Sequence, residues 1–144
     1  MISNDQLNDL LIDLGRSLLQ YVGESWLWAS ADESEVQAAV ERLVAEQRAT
    51  VGQLAELIDH RGRTVDPGAY PTDYTSFHYV ALDYLLSQLA EQQSVLAERA
   101  TAAAEDAADD PQAGPLLRDI AAQAAAHRDE LQEIAAARKS PQPA

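Results

Sequence analysis

Apolar residues recur along this chain with the period of a helix face, in four long segments. In the first, from about Asn4 to Ser30, Leu7, Leu11, Leu14, Leu18 and Tyr21 follow one another in alternating four- and three-residue steps. Ser3 or Asn4 can cap this helix, and it closes on the aromatic run Trp26-Leu27-Trp28. The second, about Glu33 to Arg61, carries Val36, Val40, Leu43, Gln47, Thr50, Leu54 and Leu57 on one stripe. Asp32 or Ser34 suits its N-cap, and Gly62 suits its C-terminal end. The stripe turns polar at its middle, where Gln47 and Thr50 fall. The third starts near Asp73 or Thr75 with two neighbouring stripes, Phe77, Ala81, Tyr84, Gln88 and His78, Leu82, Leu85, Leu89, Leu96. Burying both gives one broad apolar face. The fourth, about Pro115 to Arg138, places Leu116, Ile120, Ala124, His127, Leu131 and Ile134 on its stripe.

The segment from Arg63 to Tyr74 breaks the pattern with Asp66-Pro67-Gly68 and Pro71, which are turn signals. About twelve residues at ~3.3 Å each reach ~40 Å. A helix of ~25 residues is ~38 Å long. The segment is therefore long enough to run the length of a bundle and make the second and third helices parallel. It can also serve as a slack hairpin loop in an up-down-up-down bundle. Its length and its two prolines favour the parallel crossover. Asp109-Asp110-Pro111 with Gly114 marks the last turn. The expectation is an all-α, four-helix bundle as one domain over 1–138, with a disordered tail over 139–144 that holds Pro141 and Pro143.

Composition agrees with helix. Ala and Leu supply much of the 47% apolar share, aromatics make up 6%, and β-branched residues are scarce. The formal charge of −14, from 24 acidic and 10 basic residues, repels phosphate backbones and anionic lipid, so neither nucleic acid nor membrane is an expected partner. The charge suits a cationic partner or simple solubility. Without Cys there is no disulfide, thiolate metal site or thiol nucleophile. Met1-Ile2-Ser3-Asn4-Asp5 lacks the basic residues and apolar run of a signal peptide, and no stretch is apolar for a bilayer's width. These points favour a cytoplasmic location.

Three stretches carry a resemblance. Leu18-Leu19-Gln20-Tyr21 leading to Trp26-Leu27-Trp28, then Tyr70-Pro71-Thr72-Asp73-Tyr74-Thr75-Ser76-Phe77-His78, then Leu82-Asp83-Tyr84-Leu85-Leu86 resemble an uncharacterised bacterial group of ferritin-like proteins. The order of helix pair, Pro-rich crossover and helix pair is similar to that superfamily over nearly the whole chain. The resemblance implies a di-metal carboxylate site, with a Glu from each of two helices and Glu-x-x-His from each of the other two. The chain departs from that pattern. Ala124 stands three residues before His127, Ala49 stands three after Glu46, and no Glu-x-x-His occurs anywhere. The resemblance also implies a homodimer paired through the first two long helices. Ala-rich faces on the third and fourth helices, which leave little bulky apolar area for a single bundle, point to self-association as well.

Candidate chemistry is sparse. His127 and His78 lie on apolar stripes, Gln47 and Thr50 on another, and Glu24 or Ser25 near a fourth. If they share one level they form a polar core layer. The metal-ligand candidates are then Glu24, Glu46, His78 and His127, able to hold iron, manganese or zinc. In the bland reading each His bonds a buried carbonyl, amide or hydroxyl, and His127 takes Gln47 or Thr50. Glu56 and His60, four residues apart, read as a solvated pair. Asp83, Glu91 and the run Glu105 to Asp110 read as surface charge. Trp26, Trp28, Tyr70 and Tyr74 can cluster at one bundle end, either as a subunit contact or small-ligand site or as a plug beneath the linker. No Gly-rich phosphate loop, Ser-x-x-Lys motif or nucleophile elbow is present, so no catalytic residue is indicated. The resulting expectation is a non-catalytic binding or interaction protein that has lost the di-iron site. The alternative is a metal-binding or redox protein using a non-standard His/carboxylate layer.

Overall fold

The computed structural model describes residues 1–26 and 33–139, apart from the side chains of His78, Tyr79 and Lys139. The described residues are all-α: α1 (Asn4–Gly15), α2 (Leu18–Glu24), α3 (Ser34–His60), a 3-10 helix (Thr72–Tyr79), α4 (Leu82–Asp106) and α5 (Ala113–Lys139). None of these helices is long and apolar enough to cross a membrane.

Ser3 starts α1 with a capping box. Its hydroxyl accepts the Gln6 N–H at 3.2 Å, and its own N–H donates to Gln6 Oε1 at 3.1 Å. The single first helix read from the sequence is instead broken at Arg16. Ser17 adopts an extended conformation, φ −71° and ψ 161°, and its hydroxyl caps α2 by accepting the Gln20 N–H. The Leu18 N–H freed by the break donates to Gln92 Oε1 at 2.7 Å. Leu27, Trp28 and Ser30, expected to end that helix, lie outside the described residues. α3 buries Val36, Val40, Leu43, Gln47, Thr50 and Leu54 as the stripe requires, and it ends on Ile58 rather than Leu57. Gly62, at φ +78°, closes it: the Gly62 N–H reaches Asp59 O at 2.9 Å and the Arg63 N–H reaches Ile58 O at 3.3 Å, which is the Schellman arrangement.

The third long helix begins at Leu82, not at Asp73 or Thr75. The stretch Thr72–Val80 is rich in β-branched and aromatic residues, which are weak helix formers. It forms a 3-10 helix, with Val80 and Ala81 then extended. Only the Leu82, Leu85, Leu89, Leu96 stripe is buried; Tyr84 on the neighbouring stripe is 52% exposed. The fourth helix reaches from Ala113 to Lys139, so Lys139 belongs to it, and the rest of the expected tail lies outside the described residues.

Two apolar clusters fix the helix directions. One takes Leu7, Leu11 and Leu14 of α1, Leu54 and Ile58 late in α3, Leu96 and Ala100 late in α4, and Leu117 and Ile120 early in α5. The other takes Leu18 and Leu19 of α2, Val36 and Val40 early in α3, Leu82 and Leu85 early in α4, and Leu131 late in α5. α3 and α4 therefore run the same way, with α1–α2 and α5 opposed to them. Residues 61–81 carry the chain back from one cluster to the other along α1 and α2. Asn8 anchors that strap: its amide donates to Asp66 O at 3.1 Å and accepts the Asp66 N–H at 3.0 Å. Gly68, at φ +69°, lets the strap lie on Ile12, whose side chain would be 2.8 Å from an added Cβ. Small residues at Ala97, Ala100, Ala113 and Ala124 line the α4–α5 contact and allow close packing of the two helices.

Candidate functional site

Between the two apolar clusters the core turns polar. The α1–α2 break supplies Ser17 and Gln20, α3 supplies Gln47 and Thr50, α4 supplies Gln93 and α5 supplies His127, all buried. Gln47 Oε1 accepts from Ser17 Oγ and from Gln20 Nε2, each at 3.0 Å. Gln20 Nε2 also donates to Val44 O at 2.9 Å, and Gln20 Oε1 accepts from Arg48 at 3.3 Å. Thr50 turns back on its own helix and donates to Glu46 O at 3.2 Å.

His127 takes neither Gln47 nor Thr50. Its Nε2 lies 3.0 Å from Glu46 Oε2. Glu46 precedes Gln47 by one residue, about 100° round α3, which turns it from the bundle centre toward α5. The imidazole is 4% exposed and the carboxylate 43%. The other Glu46 oxygen accepts from Arg42 at 3.3 Å, and Arg42 also pairs with Glu130. The carboxylate thus belongs to a chain of charges at the bundle edge. Inside, His127 Nδ1 and both polar atoms of the Gln93 amide have no hydrogen-bond partner among the described residues.

Of the four metal-ligand candidates, three have side chains among the described residues. Glu46 and His127 meet. Glu24 is exposed and accepts the Tyr70 hydroxyl at 3.0 Å. His78 falls in the 3-10 helix, with its side chain outside the described residues. Among the described residues no group of three or more His, Asp or Glu side chains is placed to hold a metal ion. The central donors are neutral amides and hydroxyls, which are weak ligands for a divalent ion beside carboxylate and imidazole.

Other expectations resolve individually. Glu56 and His60 are exposed, and Asp83 pairs with Arg138 at 2.7 Å across the α4–α5 ends. The acidic run is not solvated throughout: Asp110 is buried and joined to Arg61. Tyr70 and Tyr74 cluster as expected, but round Tyr21, with centroids 5.3 and 5.6 Å away. The series continues through Phe77 to Tyr84. Trp26 packs on the second apolar cluster, and Trp28 lies outside the described residues. Gln92, which holds the Leu18 N–H, donates to the Tyr74 hydroxyl at 2.9 Å and so ties the strap to the α1–α2 break. A cleft of about 510 Å³ opens beside this junction, walled by Ile12, Arg16, Tyr74, Phe77 and Val95. Burial, followed by the Glu24 carboxylate, raises the Tyr70 hydroxyl above its ordinary pKa.

Comparison with protein-family models, curated proteins and solved structures finds no match to this chain.

Proposed function

We infer that this protein is a ferritin-like four-helix bundle, with a lengthwise crossover between its second and third long helices, whose di-metal centre has been replaced. It acts as a non-catalytic binding or interaction protein. The observation carrying this reading is the composition of the polar mid-level. Where facing helices would offer carboxylates and Glu-x-x-His pairs, this chain offers Gln20, Gln47, Gln93 and a single His127. The parallel course of α3 and α4 supports the crossover.

A second reading is favoured by one contact. The His127–Glu46 pair, with Nδ1 lacking a partner among the described residues, offers two ligands to a single-metal or redox site holding iron, manganese or zinc. Melting curves with and without added Fe²⁺, Mn²⁺ or Zn²⁺, on wild type and His127→Leu, separate the two. The expected result is no metal-dependent rise in either protein, and no metal in tag-free preparations by elemental analysis. A rise in wild type that vanishes in the Leu variant establishes the second reading instead.

The same proposal includes a homodimer paired through the first two long helices. Ala38, Ala45, Ala49 and Gly52 share an exposed face of α3, where small residues permit close helix approach. Light scattering at micromolar concentration is expected to give twice the 15.6 kDa chain mass; a monomeric mass rejects the dimer.

A further inference from the structure

Most arginines in this acidic chain have a carboxylate. Arg42, Arg61, Arg63, Arg99, Arg128 and Arg138 each make an ion pair. Arg16, Arg48 and Arg118 have none among the described residues, and the first two line one cleft of about 200 Å³ between α1–α2, α3 and the strap. Leu11, Val51 and Pro67 give this cleft apolar walls, and Glu24 stands at its rim. It adjoins the cleft beside Tyr74 and Phe77, with which it shares Arg16, and it stands independently of the functional reading above.

Both guanidinium groups are braced. Arg16 Nε donates to Pro67 O and Gly68 O, each at 3.2 Å, and the group lies 4.9 Å from the Tyr70 ring centroid. Beyond these carbonyls its one other polar neighbour among the described residues is the Tyr70 hydroxyl, so the five-donor guanidinium keeps N–H groups for a ligand. Arg48 spends one nitrogen on Gln20 Oε1 at 3.3 Å. Gln20 is fixed in turn by Val44 O and Gln47, so the polar core holds the floor of the cleft. Two like charges on one small cleft repel each other, and an anion between them relieves that repulsion. Glu24, held by the Tyr70 hydroxyl, supplies one negative charge and leaves the lining at a net +1.

We propose that this cleft is an anion site that takes one singly charged carboxylate or phosphate group between Arg16 and Arg48. Guanidinium forks match both groups. The net +1 lining fits a monoanion better than a dianion.

The test is calorimetric titration of the full chain with sodium acetate and with sodium phosphate, against chloride at equal ionic strength. One saturable equivalent is expected for at least one of the two, and the tighter of them identifies the class. Arg48→Ala is exposed on α3 and should fold normally, which its melting curve checks. It is expected to weaken binding by about tenfold or more, the loss of one charge-assisted contact. Arg48→Lys should fall between, keeping charge but losing the fork. Glu24→Gln should tighten binding severalfold by removing the opposing charge, and most for phosphate. Absence of saturable binding for both anions overturns the site. So does unchanged affinity in a folded Arg48→Ala protein, or weaker binding in Glu24→Gln.

Discussion

Asp110→Ala is expected to be among the most damaging single substitutions in this protein, lowering stability by about 3 kcal/mol and the melting temperature by roughly 10 °C. Asp110 joins three parts of the chain. Its Oδ1 accepts the N–H groups of Gln112 and Ala113 at 3.1 and 3.0 Å, and its own carbonyl accepts the Gly114 N–H at 2.9 Å. It therefore holds the Pro111–Gln112 turn that leads into α5 in the manner of a cap, and Pro111 there has no N–H to leave unpaired. Its Oδ2 meets Arg61, just past the end of α3, and Arg61 also donates to Ile2 O at 3.1 Å. Truncation to Ala loses the cap and strands a guanidinium that is only 17% exposed. That residual exposure of Arg61 keeps the cost near the lower end for a broken buried pair.

The Asp110 carboxyl also sets an acid limit. The Ala113 N–H, the Arg61 guanidinium and the Gln112 N–H hold its pKa below the usual 3.8, against burial, which pushes it up. A depressed folded-state pKa means that the unfolded chain binds the proton more readily. The stabilisation is fully present above 3.8 and is lost as pH falls through the lower folded value. Asp110→Asn keeps an acceptor for the cap but loses the charge, and should cost less at neutral pH. Its penalty relative to wild type should shrink below pH 3.8. Urea midpoints across pH 3 to 7 measure this, and a penalty that stays constant removes Asp110 from the acid response.

What the sequence reveals depends on how far each signal acts along the chain. The stripes of α3 and the Leu82-Leu85-Leu89 stripe of α4 were legible because one face of a helix repeats locally. The break at Arg16 was not, since Leu14 to Leu18 is itself a four-residue step and keeps the apolar period unbroken. The local clue is Ser17 followed three residues later by Gln20, a capping-box spacing. Asp110 was obscured by its acidic neighbours, although Asp-Pro is a helix-start pair. The polar level was half legible. Gln47, Thr50 and His127 sit on readable stripes, whereas the seven-residue gap between Leu89 and Leu96 contains Gln93 unannounced. The partner of His127 depends on how α3 and α5 face each other, and no local pattern encodes that. Charge pairing across helices is similarly hidden, so composition gives no sign that Arg16 and Arg48 share a cleft.

Gln93 should be a site where removing polarity stabilises the protein. It is fully buried on α4, and neither polar atom of its amide has a partner among the described residues. Leu89 and Leu131 lie in one apolar cluster and Leu96 and Ala124 in the other, so Gln93 and His127 sit between the clusters at the same level of an antiparallel pair. Each unpartnered buried donor or acceptor costs about 1–3 kcal/mol. Met has nearly the length of Gln, is unbranched and carries no strong hydrogen-bonding group. Gln93→Met is therefore expected to raise stability by about 1–3 kcal/mol and the melting temperature by roughly 5 °C. Gln93→Glu should act oppositely, because it puts an ionisable carboxyl at a fully buried position where the amide already lacks a hydrogen-bond partner among the described residues. Urea unfolding of both variants measures the two signs. A Met variant less stable than wild type would mean that the Gln93 amide gains more from its surroundings than it loses by burial. His127 would then be the first residue to test in a double-mutant cycle, with coupling above about 0.5 kcal/mol indicating a shared interaction. Coupling near zero would place the amide's gain elsewhere in the layer, with Gln47 the next buried amide to test.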